Sequence, residues 1–572
     1  MVACVLSAIG CFLSCALLGF PETGGVRFTW VLLWIAGWFG ARAFGRIPQR
    51  RDQVCFGILG ACFTLAFALG YRLDLNGATG FDGLLLSLGV ALCFAPATGQ
   101  AAWILHHRLT ACNPGPEIRE RRVLGFSMVW LLLAWLPMLL AFYPGIHAYD
   151  TFSQIPTYLQ GSFTTHHPLL HTLVTGWLYD LGVLLGDAAL GLLLYSVLQM
   201  VLLAYSLGRG LAYLGRLRCP RWARVGLLAL FCLVPQYSLH ALGCTKDIPF
   251  AAFITLYVLR LHRLFHEPEL LRSPRFMAGT VVVGVFMLLF RNNAPYALVL
   301  LVPFAVALIG RGWRLRMAVL LAVTLVLSAG IQQGLKLATQ AESGLINEML
   351  CIPAQQLSRV ISIHELEDPV SYEILDYVPH AQQYNESRAD PVKLHLKVQK
   401  PEDLWGFIKL WGREFFHYPI EYIDAFLLQC KGYWFLDDTL FTRNVGAIYL
   451  WFYDNLGVQQ NSLLPGLRQA MLDLFEENHY RSVPLFSLLI QPALYTWICL
   501  FVLICAICRR DRALALSILC VLTYLFTLCL GPMVANRYSF CVTTSAPLLL
   551  AMLCVRQPPK SKNLAKQQFV SK

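Results

Sequence analysis

Residues 123–142 read VLGFSMVWLLLAWLPMLLAF, a stretch of 20 residues without a charged side chain. A helix of this length rises ~1.5 Å per residue and therefore crosses the ~30 Å hydrocarbon core of a bilayer. Similar stretches recur along the chain, which predicts an all-α polytopic membrane protein with about 14 transmembrane helices. Two of them are short for full spans, so the total could change by two. The predicted spans lie near residues 3–20, 27–44, 53–70, 83–105, 123–142, 187–208, 224–241, 248–262, 276–290, 295–309, 317–336, 486–507, 513–530 and 538–555.

The composition agrees with this fold class. Hydrophobic residues make up 57% of the 572 residues and charged residues 14%, whereas soluble chains carry about 45–50% and about 25%. So much apolar surface excludes a cytosolic enzyme, a disordered chain and a secreted disulfide scaffold. Most of the 19 cysteines fall within or beside predicted spans, where cysteine acts as a small apolar residue. Cys351 and Cys430 belong to the long polar segment, and a disulfide between them stays open.

The basic residues predict the orientation in the membrane. The net charge is +12, from 45 Lys and Arg against 33 Asp and Glu. Loops rich in Lys and Arg usually face the cytoplasm, and when the spans are counted every basic cluster falls on one side. We therefore expect both termini to lie in the cytoplasm. The charges form no single patch, so no nucleic-acid partner is expected, and membrane lipids suffice as partners of the basic loops.

The spans and the one long polar segment suggest four regions. Residues 1–122 form an amino-terminal transmembrane extension of about four helices, and 123–336 form a transmembrane core. Residues 337–485 are predicted to be a mostly helical extracytoplasmic domain, because 402–430 repeat apolar positions at helical spacing. Residues 486–572 carry the last transmembrane helices and a basic cytoplasmic tail.

Polar side chains that are costly in lipid recur at the predicted outer ends of the spans. A single cluster is explained by a local ion pair or an interfacial anchor, but six clusters at one depth favour a shared site. The cations suit a lipid phosphate, the carboxylates suit deprotonation of a hydroxyl or a metal ion, and the aromatic and amide groups suit a sugar. The candidate residues are Tyr149, Asp150, Gln154, His166, His167, Lys246, Asp247, Arg291, Asn292, Asn293, Gln355, Gln356, Arg359, Arg537 and Tyr538.

A resemblance sharpens this prediction. The stretches YPGIHAYDTFSQ (143–154), HHPLLHT (166–172), TKDIPFAAF (245–253), RNNAPYAL (291–298), IPAQQLSRV (352–360) and NRYSF (536–540) resemble a bacterial multi-pass membrane family similar to GT-C glycosyltransferases. The resemblance covers roughly 123–555. It implies a bacterial plasma-membrane protein with a GT-C-like core, a polyprenyl-phosphate sugar as donor, and an acceptor on the extracytoplasmic face.

By the same resemblance, Asp150 matches the essential carboxylate of the first outer loop. Many GT-C loops carry two adjacent acids, whereas Asp150 is flanked by Tyr149 and Thr151. A metal site on paired acids is therefore in doubt. No cofactor is certain, and a divalent metal ion, with a histidine as ligand, stays open.

The predicted reaction is transfer of a sugar from the lipid-phosphate donor in a single inverting displacement. Asp150 would accept the proton of the acceptor hydroxyl or orient the acceptor. Lys246, Arg291, Arg359 and Arg537 would bind the departing phosphate, and Gln154, His166, His167, Asp247, Asn292, Asn293, Gln355, Gln356, Tyr149 and Tyr538 would contact substrate. Two alternatives remain: a flippase or transporter of lipid-linked sugars, and a ligase or polymerase of lipid-linked glycans.

Overall fold

The computed structural model describes residues 2–18, 24–148, 150–344, 346–364, 369–398, 400–438, 448, 450–452, 454 and 456–556. The described chain is helical, and its only β-pairing consists of three isolated bridges. The amino-terminal helices are α1 (Val2–Leu18), α2 (Gly24–Phe44), α3 (Arg50–Asn76) and α4 (Gly80–Thr110). The central helices are α5 (Glu120–Ala141), α6 (Thr151–Gln160), α7 (Leu169–Leu184), α8 (Ala188–Arg216), α9 (Arg221–Leu233), α10 (Pro235–Leu242), α11 (Asp247–His266), α12 (Pro274–Leu289), α13 (Ala294–Leu308) and α14 (Arg314–Thr339).

The polar segment and the carboxy-terminal part complete the fold. The helices of the polar segment are α15 (Cys351–Ile363), α16 (Pro369–Tyr377), α17 (Asp390–Lys393), α18 (Pro401–His417), α19 (Pro419–Cys430), α20 (Pro465–Phe475) and α21 (Pro484–Ile490). The last helices are α22 (Pro492–Arg509), α23 (Arg512–Cys529) and α24 (Asn536–Met552). Short 3₁₀ helices lie at Pro268–Arg272, Arg311–Trp313, Ile346–Leu350, Ala381–Gln383, Lys431–Tyr433 and His479–Ser482.

The length and hydropathy of the helices are those of a multi-pass membrane protein. Among the described residues, eight helices are long and apolar enough to cross a bilayer, and the bent pair α9 and α10 would make nine. Five further apolar helices are shorter than 18 residues. The count of about fourteen spans therefore remains a prediction. The eight are α3, α4, α5, α8, α11, α14 with the 3₁₀ turn before it, α22 and α23.

Two segments differ from the sequence prediction. The predicted span 224–241 consists of two helices, α9 and α10, bent by 54° relative to each other. The first helix ends before Val234, and Pro235 begins the second. The predicted outer connection between α5 and α8 contains the apolar helix α7. Its 16 residues reach only ~24 Å, so it falls below the length of a full span and a scan for long apolar runs does not find it.

Part of the polar segment has a hydrophobic core of its own. One large hydrophobic cluster joins the central and carboxy-terminal helices, with α11 packed between α8, α12, α23 and α24. A second cluster is built from the polar segment itself, around Leu357, Ile374 and Phe407. The disulfide between Cys351 and Cys430 that the sequence left open is not formed: both residues are buried free thiols, and the Cys351 thiol donates to the Leu530 carbonyl oxygen.

Candidate active site at the helix ends

The candidate site is built where two loops pair. The loop after α5 runs beside the loop between α10 and α11: the Ile146 N–H donates to the Leu242 carbonyl and the Cys244 N–H to the Ile146 carbonyl, both at 3.0 Å. Gly145 adopts a φ of 149°, and a side chain there would collide with Ser196 on α8. This pairing brings Asp150, just before α6, beside the residues that precede α11.

Asp150 is in contact with two positively charged side chains and lies near a histidine. The Lys246 Nζ donates to its Oδ2 at 2.6 Å, and the Arg537 Nη1 lies 3.1 Å from both carboxylate oxygens. The His167 Nδ1 lies 3.9 Å from Asp150 Oδ1 and 3.4 Å from the Lys246 Nζ. Only 5% of the Asp150 side chain is exposed. Three segments separated widely in sequence therefore meet on one carboxylate.

A second carboxylate continues the network. The Arg291 Nη1 donates to Asp247 Oδ1 at 2.5 Å, and the Arg537 Nη1 donates to Asp247 Oδ2 at 3.0 Å. The Arg291 Nε donates to the Tyr524 hydroxyl at 3.0 Å. The Arg291 and Arg537 guanidinium carbons each lie 4.6 Å from the centre of the Tyr538 ring. Arg537 thus bridges both carboxylates, and three cations face two anions.

The environment sets the protonation states. Burial alone would raise the pKa of Asp150, but Arg537 and Lys246 outweigh it and hold that pKa well below its usual range. Burial lowers the pKa of Lys246, against the opposing effect of the Asp150 and Asp247 carboxylates. Burial and the neighbouring Lys246 ammonium lower the pKa of His167 to about 3. At neutral pH Asp150 is therefore ionised and His167 is a neutral imidazole.

These side chains form the floor of a cavity of about 560 Å³. The facing wall comes from the polar segment, where the Lys393 Nζ donates to Glu348 at 2.6 Å and lies 3.0 Å from Asp390. That wall is fixed by pairing between Arg388 and Met533, and by the Ala389 N–H, which donates to the Pro532 carbonyl at 2.8 Å. The cavity is also bordered by exposed apolar side chains, namely Tyr296, Met349, Leu394 and Leu530.

Comparison with known protein families assigns the chain to a family. A family model described as a family of unknown function, DUF6020, matches residues 155–567. The chain belongs to this family. No curated protein and no solved structure matches the chain. In this DUF6020 protein the match begins just after Asp150 and includes the cationic residues of the floor.

The structure brings together much of the predicted site of this DUF6020 protein. Asp247 lies directly beneath the cavity floor, bonded to Arg291 and Arg537, while Tyr149 lies outside the described residues. The predicted residues that line the cavity are Asp150, His166, His167, Lys246, Arg291, Asn293, Arg537 and Tyr538.

Arg359 and its neighbours were expected at this site and are placed elsewhere. The Arg359 Nη2 donates to the Gly77 carbonyl at 2.7 Å and lies 3.5 Å from Asp424, and its side chain is 3% exposed. Gln355 donates to the Asn385 carbonyl at 2.8 Å, and Gln356 accepts from the Trp411 indole at 2.7 Å. These three residues do not line the cavity. Arg359 attaches α15 to the turn between α3 and α4, and the two glutamines bond to other parts of the polar segment.

Two further candidates support the site from behind. The Gln154 Oε1 accepts from the His171 Nδ1 at 2.8 Å, and the other nitrogen of that ring lies 2.5 Å from the Tyr195 hydroxyl. The Asn292 amide donates to the carbonyls of Thr165 and His166, at 3.0 and 3.1 Å. Neither residue lines the cavity, so both position the chain around it.

Several residues that line the cavity, or that contact its lining residues, have no recognisable signal in the sequence. Tyr524 orients Arg291 but lies in a stretch that reads as an uninterrupted transmembrane span. Lys393 and Asp390 stand in a polar segment where no motif distinguishes them. In the described part of the chain, no three His, Cys, Asp or Glu side chains are arranged to hold a metal ion, so the donor set does not favour the divalent ion that the sequence left open.

Proposed function

We propose that this DUF6020 protein is a membrane glycosyltransferase that transfers a sugar from a polyprenyl-phosphate donor to an acceptor on the extracytoplasmic face. The observation that carries the proposal is the cavity floor: Asp150 and three cations lie on one surface, bordered by exposed apolar side chains. A charged and an apolar part side by side suit a ligand with an anionic head and a hydrocarbon tail.

The charges of the floor favour a phosphate. Lys246, Arg291 and Arg537 carry three positive charges against the two of Asp150 and Asp247, which leaves a net charge of +1. A guanidinium binds phosphate oxygens in a bidentate manner, and an ammonium acts as a point charge. The donor phosphate would therefore compete with Asp150 for Lys246 and Arg537.

That competition gives Asp150 its proposed role. Arg537 and Lys246 hold its pKa well below the usual range, which makes it a weak base. When the phosphate draws these cations, the carboxylate becomes more basic and can accept the proton of the acceptor hydroxyl. The hydroxyl oxygen forms a bond to the anomeric carbon while the bond from that carbon to the phosphate oxygen breaks. The polyprenyl phosphate leaves, its charge stabilised by the same cations.

The position of the site favours an enzyme over a conduit. Asp247 begins α11, Arg291 follows α12 and Arg537 stands in the first turn of α24, so the charges lie at helix ends. The opposite ends carry the basic loops. In the proposal the basic loops and both termini face the cytoplasm of a bacterium, the cavity opens outside, and about 14 spans surround a GT-C-like core.

The test uses purified protein in lipid nanodiscs with a panel of radiolabelled polyprenyl-phosphate hexoses and a cell-envelope extract as acceptor. We expect label to leave the lipid, and Asp150→Asn to reduce that rate by about 10²–10⁴-fold, the usual contribution of a positioned acid–base group. Asp180→Asn is the matched control, because this exposed carboxylate on α7 accepts a hydrogen bond from the Tyr158 hydroxyl and lies outside the cavity. Undiminished turnover in Asp150→Asn would remove Asp150 from the reaction, and no transfer from any donor would refute the proposal.

A further inference from the structure

A second cavity, of about 410 Å³, lies at the other end of the spanning helices. It opens between the first turns of α5 and α9, where the chain carries two of its basic clusters. Arg122 on α5 is separated from the end of that helix at Ala141 by 19 residues, or ~29 Å. This cavity is therefore distinct from the proposed active site. Its walls include Arg122, Arg221, Arg224, Phe126, Val225 and Leu228.

The cavity is cationic and lacks a counterion. Three arginines line it, and no described acidic side chain does. The nearest acid along α5, Glu120, is instead paired with Arg209 and Arg216. Three guanidinium groups around one space attract an anion that accepts several hydrogen bonds.

Arg224 provides the more specific observation. Its side chain is buried, with 8% of the residue exposed, and its Nε donates to the Cys219 carbonyl at 3.1 Å. Its buried Nη2 has no hydrogen-bond partner among the described residues. A buried donor left unsatisfied is costly, so a ligand that accepts from this nitrogen would remove a penalty that the fold otherwise carries.

The remaining walls indicate the source of the anion. Phe126 and Val225 are 59% and 55% exposed, and they continue from the arginines along the apolar faces of α5 and α9. An inorganic anion would make no use of them, whereas the acyl chain of a lipid would cover them. Basic pockets between transmembrane helices bind anionic headgroups for the same reason.

We propose that Arg122, Arg221 and Arg224 bind the phosphate of an anionic membrane phospholipid, whose acyl chain packs on Phe126 and Val225. The site takes its ligand from the leaflet next to the basic loops, and it is independent of the proposed glycosyl transfer. The bound phosphate supplies the acceptor that the Arg224 Nη2 lacks, so the lipid stabilises the contact between α5 and α9.

Native mass spectrometry of the full-length protein in detergent tests this site, with phosphatidylglycerol titrated against phosphatidylcholine. We expect wild-type protein to prefer phosphatidylglycerol, and the double variant Arg122→Gln and Arg221→Gln to bind it at least about tenfold more weakly, the usual effect of losing charge-assisted hydrogen bonds. Both side chains are exposed, so this variant should fold. Arg224→Gln is measured beside it and should weaken binding at least as much.

Arg311→Gln is the matched control, because this exposed arginine stands in another basic cluster and outside the cavity. It should leave the affinity for phosphatidylglycerol unchanged. Equal affinity in the double variant and the wild type would refute the site. Displacement of the lipid by millimolar inorganic phosphate would show that the arginines bind a free anion, and would refute the assignment to a lipid.

Discussion

Replacing Asp247 with asparagine should lower the stability of the unliganded protein and at the same time raise its affinity for a polyprenyl phosphate. Asp247 is 2% exposed and accepts from Arg291 and Arg537. Removing one partner from a buried ion pair costs ~3–5 kcal/mol, because the other charge stays buried. In Asp247→Asn the floor keeps three cations against the single carboxylate of Asp150, and its net charge rises from +1 to +2.

The gain in affinity follows from the same geometry. The Arg537 Nη1 lies 3.0 Å from Asp247 and 3.1 Å from Asp150, so a phosphate oxygen that replaces Asp150 on this nitrogen would lie on the order of 6 Å from the Asp247 carboxylate. The repulsion between unit charges at that distance is about 3 kcal/mol at an effective dielectric constant of about 20. Its removal corresponds to an affinity up to about 100-fold higher.

The assay is thermal unfolding of the purified protein, followed by intrinsic fluorescence, with and without polyprenyl phosphate. Asp247→Asn should unfold at a lower temperature than wild type when unliganded, and the added lipid phosphate should raise its unfolding temperature by more than it raises that of wild type. Asp424→Asn is the matched control. Asp424 is also a 2% exposed carboxylate in an ion pair, but its partner is Arg359, away from the cavity. Asp424→Asn should also unfold at a lower temperature, but polyprenyl phosphate should raise its unfolding temperature by no more than it raises that of wild type. An equally enlarged rise in both variants would refute the reasoning.

Two further predictions concern the pH dependence and Arg359. In the proposed reaction Lys246 acts as a cation, and its pKa is lowered from the usual 10.5. We therefore expect kcat/KM to fall as the pH rises through a value below 10.5. Lys246→Arg should move this fall to higher pH. The pKa of His167 is about 3 and that of Asp150 is well below its usual range, so kcat/KM should show no acid limb near pH 6.5, and such a limb would contradict a neutral His167. Arg359→Gln should lower stability by ~3–5 kcal/mol because it removes the cation paired with the buried Asp424. It should leave the affinity for polyprenyl phosphate unchanged in a binding titration, and a large loss of affinity would return Arg359 to the site.

The residues that the sequence could predict share one property. Asp150, Lys246, Arg291 and Arg537 each stand at the end of an apolar stretch, and the alternation of spans assigns those ends to one face. Hydropathy and loop charge therefore suffice to bring them to the same depth. Their meeting on one floor also depends on the pairing of two loops, as in the bonds of Ile146 with Leu242 and Cys244, which no periodicity encodes.

Arg359 shows where this argument fails. It has the same residue type and the same predicted side of the membrane as Arg537, so composition cannot distinguish the two. The difference lies in their partners: Arg359 meets Gly77, 282 positions away, and Asp424, 65 positions away. A buried cation takes whichever acceptor the tertiary fold provides, and only the fold shows whether that acceptor belongs to a cavity or to a structural contact.

The two carboxylates of the site link the stability of the protein to the chemistry proposed for it. Three largely buried cations side by side would be costly without an anion, and Asp150 and Asp247 are their counterions. Of the two, Asp150 lines the cavity, whereas Asp247 does not and lies between Arg291 and Arg537. An incoming phosphate can therefore replace Asp150 as a partner of Lys246 and Arg537 without disturbing the bond of Arg291 to Asp247. The cost of releasing Asp150 from its cations is met only when another anion is present, and its carboxylate becomes a base only then. This coupling would confine proton abstraction to the occupied site.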